Sequence, residues 1–176
     1  MSNLQLPDGS MVLVADDDPV LRRMVRRMLE DNQVAVVEAQ DGEHAIRIVD
    51  HDEAHLLDTV VTDLDMPIVS GAELIAVLQE CRPDLPIIAM SGSSELPPAL
   101  AMVPLLHKPF GADDLLSAVT PLILRSRETR ARARQTRANA AESRALAERQ
   151  TRIAKQQYAA SSELMAALFR LRQRMM

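Results

Sequence analysis

Tryptophan is absent from this chain of 176 residues, and aromatic residues make up only 2%: Phe110, Tyr158 and Phe169. That poverty argues against reading single-stranded nucleic acid by base stacking, which needs several aromatic platforms. A single cysteine, Cys81, excludes a disulfide framework and any Cys-based zinc site. No run approaches the roughly 20 apolar residues of a membrane span. Met1 to Ser10 lacks the basic and apolar regions of a secretory signal, so the expected setting is cytoplasmic, with no membrane. Hydrophobic residues at 47% and charged residues at 26% form an ordinary globular mix, which argues against wholesale disorder.

What is present is divided unevenly. The net charge of −5 conceals two different objects. Residues 1–122 hold 7 Lys+Arg against 21 Asp+Glu, a balance of −14. Residues 123–176 hold 13 against 4, a balance of +9. The chain therefore reads as a leader (1–10), an acidic domain (11–120) and a basic, Ala/Arg-rich helical tail (121–176), divided near Thr120-Pro121.

Short apolar runs alternate with helix-period segments through the acidic domain, a pattern that predicts a parallel α/β sheet. Met11 to Ala15 is wholly apolar and stops at Asp16-Asp17-Asp18, as expected of a strand buried on both faces. Asp18-Pro19 reads as an N-cap and first helical residue. Further strands are expected at Val34–Glu38, Thr59–Thr62, Pro86–Met90 and Pro104–His107. Helices are expected at about 41–53, at Gly71–Cys81 and at Asp113–Val119. Four strands then end in chemically loaded residues: Asp16 and Asp17, Asp63, Ser91, and Lys108. In an open parallel sheet, ligands bind outside the carboxyl ends of the strands, so these residues meet at one edge.

Three packed carboxylates repel one another and stay ionised at low cost only beside a cation. All-oxygen ligands favour Mg²⁺ over softer metals. A carboxylate there can act as a nucleophile and form an aspartyl-phosphate, with the ammonium offsetting phosphoryl charge. Each residue alone has a plainer reading: a helix N-terminus enriched in acids, a solvated strand end, a turn serine, a loop lysine. The four histidines, His44, His51, His55 and His107, have no partner at ligand spacing and read as surface or loop residues.

The stretches VLVADDDPVLRR (12–23), VVTDLDMPIVSG (60–71), IIAMSG (87–92) and LLHKPF (105–110), in that order and at those separations, resemble a bacterial response-regulator receiver domain. The resemblance implies a flavodoxin-like, doubly wound five-stranded parallel sheet in the order 2-1-3-4-5. It implies that Asp63 is the phosphoacceptor and that Asp16 and Asp17 hold Mg²⁺ with it. Asp65 lies where the family supplies a backbone carbonyl to the metal. Ser91 matches the switch hydroxyl and Lys108 the lysine that pairs with the phosphoryl group. Pro67 and Gly71 match the loop that follows the phosphoacceptor, and Lys108-Pro109 matches a usually cis bond. The implied partner is a histidine kinase or a histidine phosphotransfer protein, and the implied role is a two-component phosphorelay rather than turnover of a metabolite.

Two departures bear on the output. Leu105 stands where the family usually carries a switch tyrosine or phenylalanine. Only 17 positions separate Ser91 from Lys108, with Pro97-Pro98 between them, so the fourth helix is expected to be short, displaced or replaced by a loop.

In the tail, Pro121 is expected either to kink a helix or to start a new one capped by Thr120, so that the fifth helix and the tail are not one straight rod. Leu146, Ile153, Ala160 and Ala167 recur every seven residues, with Gln150, Gln157, Leu164 and Leu171 in the complementary positions, a partial coiled-coil seam. A homodimer or a helical partner through this seam is the favoured use of the tail. Nucleic-acid binding through the Arg125–Arg137 run competes with it, as does a solvated connector or a tail folded onto its own acidic receiver, and a phosphorylation-independent scaffold is the alternative to the switch as a whole.

Overall fold

A computed structural model gives the structure and describes residues 6–93 and 97–174. The chain divides into two compact units between Thr129 and Arg130.

The first unit is built on five parallel strands: β1 (Met11–Ala15), β2 (Ala35–Ala39), β3 (Thr59–Asp63), β4 (Ile87–Ser91) and β5 (Leu105–His107). They are ordered β2-β1-β3-β4-β5, the order expected from the sequence. Alternation along β1 explains the two layers. Leu13 and Ala15 point into one apolar cluster with Ala45 and Val49 of α2 (Gly42–Asp50) and Leu74, Ile75 and Leu78 of α3 (Gly71–Cys81). Val12 and Val14 point into the other, with Val25 and Leu29 of α1 (Pro19–Glu30) and Leu115, Val119 and Ile123 of α4 (Ala112–Arg174). Both faces of the sheet are thus covered, which is why its strands read as continuous apolar runs.

Local chemistry sets the helix starts. The Asp18 side chain accepts from the Val20 amide at 2.8 Å with Pro19 opening α1, as the Asp18-Pro19 pair predicts. Asp41 caps α2 through the His44 amide at 2.7 Å. Ser70 and Glu73 form a reciprocal capping box on α3. That arrangement holds the Glu73 carboxyl below its ordinary range, through the Ser70 amide first and the Ser70 hydroxyl second.

Between β4 and β5 the described residues contain a single 3₁₀ turn, Pro98–Leu100, where a fourth helix is expected to be short or lost. The double proline accounts for it, because consecutive missing donors bar a continuous helix.

Of the two readings of Thr120-Pro121, Pro121 inside a continuing helix is what the structure shows, and the new helix start needs correction. Neither residue starts a new helix: α4 runs from Ala112 to Arg174 with Pro121 inside it. The reason lies in packing. Leu115, Val119 and Ile123 are fully buried against the sheet, whereas Pro121 is exposed. Burying each of those three side chains contributes roughly 1.5–3 kcal/mol. Only Ile123 of the three lies beyond Pro121, and its burial, joined by the Arg127–Asp58 pair one turn further on, offsets most of the about 3 kcal/mol that an interior proline costs.

Beyond Ile123 the helix is fixed by charge. Asp58, fully buried just ahead of β3, receives Arg127 Nε at 3.1 Å and Nη2 at 3.0 Å. Arg127 Nη1 also donates to the Asp8 carbonyl at 2.9 Å, and Asp58 accepts from the Met11 amide at 3.0 Å. The second unit is the rest of α4, exposed at every residue from Ala131 to Ala159. No helix among the described residues is long and apolar enough to cross a membrane.

Candidate functional site

Asp16 and Asp17 follow β1, and Asp63 ends β3, its immediate neighbour in the sheet. Adjacent parallel strands ending at the same level bring the three acids together as the sequence predicts. One carboxylate oxygen of each lies within 4.8 Å of the others. Asp16 is fully buried, Asp63 is 7% exposed, and Asp17 faces solvent. Three convergent hard oxygen donors of this kind fit a small divalent cation such as Mg²⁺.

Lys108 reaches the same place from the end of β5. Its Nζ lies 2.9 Å from Asp63 Oδ1 and 3.2 Å from Asp16 Oδ2. Burial pushes the ammonium pKa down, but the hydrogen bond to Asp63 and the charges of Asp16 and Asp63 push it further up. Lys108 is therefore held above its ordinary value and stays cationic. Burial pushes the Asp16 carboxyl above its ordinary range, and the nearby Asp63 charge adds to this. The Asp18 amide, at 2.8 Å from Oδ1, and Lys108 pull the other way without prevailing. The site thus favours added positive charge.

Ser91 closes β4 and is buried. Its carbonyl accepts from the Lys108 amide at 2.8 Å, tying the two residues to one strand edge. Its hydroxyl accepts from the Ser93 amide at 3.0 Å. Asp65 is exposed in the loop after β3, and its side chain is not part of the three-carboxylate group found among the described residues. Leu105, at the start of β5, packs half-buried against the cluster on the α2 and α3 face, so no ring occupies the place of the usual switch aromatic. The Lys108-Pro109 bond is cis, as the resemblance implies. His51, His55 and His107 are exposed and His44 is half-buried, and none belongs to the three-carboxylate group found among the described residues.

Gly71 is a structural requirement of the site. A Cβ there would overlap the carbonyl oxygen of Asp63 and crowd the Leu64 backbone. Gly71→Ala is expected to destabilise the fold by about 1–3 kcal/mol or more, because backbone must move to admit the methyl group. Urea unfolding would measure the loss, and a stability within 0.5 kcal/mol of wild type would contradict it.

One contact was not foreseen from the sequence. The Arg22 guanidinium, on α1, donates from Nη1 to the Asp16 carbonyl at 2.7 Å. The spacing of six residues places Arg22 on the second turn of α1, but nothing in the sequence aims its side chain backward.

The chain matches the response regulator receiver domain over residues 12–120. It is 32% identical over 120 residues to the response regulator MprA of Mycolicibacterium vanbaalenii, an alignment covering 65% of this chain and 51% of that protein. It is 28% identical to the transcriptional regulatory protein GlrR of Escherichia coli, over 65% of this chain and 26% of that one. The chain therefore spans about half the length of the first of these relatives and about a quarter of the second. Among solved structures, a response regulator receiver domain protein from Clostridium thermocellum shares 27% identity at a TM-score of 0.63, covering 68% of this chain and 98% of that one. The response regulator TrrA of Thermotoga maritima, solved in complex with Mg²⁺-BeF, shares 25% identity at a TM-score of 0.59, covering 64% and 98%. The family match thus ends at Thr120, inside α4. On its sheet order, its acidic cluster and these matches, the chain belongs to the response regulator receiver family, signalling domains that partner histidine kinases and are not enzymes.

Proposed function

We propose that this protein is a phosphorylation-dependent response regulator of a two-component phosphorelay in the cytoplasm. Asp63 accepts a phosphoryl group from the phosphohistidine of a histidine kinase or phosphotransfer protein. An Asp63 carboxylate oxygen attacks phosphorus, the P–N bond breaks, and the imidazole leaves with a proton. Asp16, Asp17, Asp63 and the Asp65 backbone carbonyl would hold Mg²⁺, which offsets phosphoryl charge when bound. Lys108 supplies the second positive charge, and Ser91 a hydroxyl for the phosphoryl oxygen. The observation that carries this reading is the convergence of three carboxylate oxygens with the Lys108 ammonium. The Mg²⁺-BeF complex of TrrA supports the same assignment.

The output is assigned to α4. Leu146, Ile153 and Met165 are exposed at 57%, 45% and 68%, more apolar surface than a single helix keeps in water without a partner. Pairing with a second copy or another helix along the Leu146–Ile153 seam would cover those two side chains. Of the other seam positions Gln150 and Gln157 are exposed and Ala167 is half-buried, and the side chains of Ala160, Leu164 and Leu171 are not among those described. With Leu105 in place of an aromatic, the output cannot pass through ring rotation, which favours a tail-based readout.

The test is mass in solution, by light scattering, before and after beryllofluoride with Mg²⁺. A change in oligomer size is expected. Unchanged mass in a protein that takes up beryllofluoride would favour the phosphorylation-independent scaffold instead. Phosphoryl uptake from acetyl phosphate should fall to background when EDTA removes Mg²⁺ and return when the ion is restored, as intact mass would show.

A specific observation favours a second reading. Arg134, Arg137 and Arg144 are exposed and follow Arg130 at three-, four- and seven-residue steps along one helix face, and Leu146 and Ile153 lie on a different one. A tail paired through its seam would leave this basic stripe facing outward for phosphate backbones. A salt-sensitive mobility shift with duplex DNA or RNA would support that reading.

A further inference from the structure

We infer that Arg22 is a positioning residue for the cation site, acting through the peptide bond between Asp16 and Asp17. The inference rests on the phosphoacceptor reading above.

Four contacts fix Asp16, and only one of them comes from a side chain to its main chain. Its amide donates to the Ala39 carbonyl of β2 at 3.2 Å, the last rung between β1 and β2. Its carboxylate is held by the Asp18 amide and by Lys108. Its carbonyl accepts from Arg22 Nη1 at 2.7 Å, the short distance of a charge-assisted hydrogen bond. That carbonyl belongs to the same rigid plane as the Asp17 amide. Fixing the carbonyl therefore fixes the plane from which the exposed Asp17 side chain departs.

Arg22 is itself held. Its side chain is only 17% exposed, and Nε lies 3.3 Å from Glu38 Oε1 on β2. The other Glu38 oxygen receives Arg26 Nη1 at 2.9 Å. The guanidinium therefore spans α1, the end of β1 and β2. Asp16 is buried and strapped from several sides, whereas Asp17 is exposed and reaches the cluster from the chain segment that Arg22 orients. Without Arg22 the Asp16-Asp17 plane can rotate, and the three carboxylates no longer converge before the cation arrives. Losing a residue that holds a metal ligand in place typically changes metal affinity by about 10–100-fold.

The test measures Mg²⁺ binding calorimetrically in the full chain, together with the Mg²⁺ dependence of phosphorylation by acetyl phosphate. Arg22→Ala is expected to weaken Mg²⁺ binding by about tenfold or more, while the rate at saturating Mg²⁺ returns close to that of wild type. Arg22→Lys keeps a single cationic donor that can reach the carbonyl and should recover most of the affinity. A folded Arg22→Ala protein in which Mg²⁺ affinity is unchanged, or in which its loss only follows a loss of thermal stability, would overturn the inference. If Arg22→Ala fails to fold, the Lys variant decides it, since failure of Lys to bind Mg²⁺ better than tenfold below wild type overturns it equally. Wild-type protein that binds no Mg²⁺ would instead overturn the phosphoacceptor reading on which the inference stands.

Discussion

Asp63→Asn is expected to abolish phosphoryl uptake from acetyl phosphate, a loss of at least about 100-fold that leaves only background incorporation. The amide has no anionic oxygen to attack phosphorus, and it removes one of the three converging carboxylates. Lys108 keeps Asp16 as a partner at 3.2 Å, so no buried ammonium is left unpaired. The fold should therefore survive, with a melting temperature within a few degrees of wild type. Intact mass after incubation with acetyl phosphate and Mg²⁺ measures the first effect, and thermal unfolding the second. Undiminished uptake by a folded Asp63→Asn protein would place the phosphoryl group elsewhere and sink the assignment.

Arg127→Ala carries the largest expected effect on stability. It removes the guanidinium that pairs with Asp58, whose side chain is fully buried, while Arg127 itself is 29% exposed. Breaking a buried ion pair by removing one partner costs up to about 3–5 kcal/mol. In a domain of this size that corresponds to a fall in melting temperature of roughly 10–20 °C. Removing both charges should be far milder. In Asp58→Asn/Arg127→Met the Asn oxygen can still accept from the Met11 amide, and the methionine covers the apolar stem. A double variant no more stable than Arg127→Ala would show that the ion pair is not the source of the loss.

Much of the site was legible because parallel α/β architecture turns strand ends into neighbours. Asp16, Asp17, Asp63 and Lys108 each follow an apolar run, and the sheet order brings those runs together. Arg22 and the Asp58–Arg127 pair were not legible, because a long side chain can aim in many directions and its target is set by tertiary packing. Asp58 and Arg127 are 69 residues apart, and Arg127 looked like the opening of a uniformly basic tail. Of the two readings of Pro121, only the start of a new helix failed, and for a related reason. A proline reads as a break when only local backbone bonding is weighed, yet Ile123 and Arg127 beyond it are both held, one in the core and one on Asp58.

The charge boundary and the folding boundary are therefore nine residues apart on paper and very different in practice. A fragment trimmed where the acidic composition ends, at Thr120, would lack both Ile123, a fully buried part of the core, and Arg127, the counter-ion of Asp58. It would carry an open apolar slot and a buried carboxylate that has lost Arg127, at the end of the sheet opposite Asp63. Poor phosphorylation or aggregation in such a fragment would look like evidence that the tail controls the site. A fragment ending at Thr129 keeps both residues, and only its comparison with the full chain isolates what the exposed helix contributes.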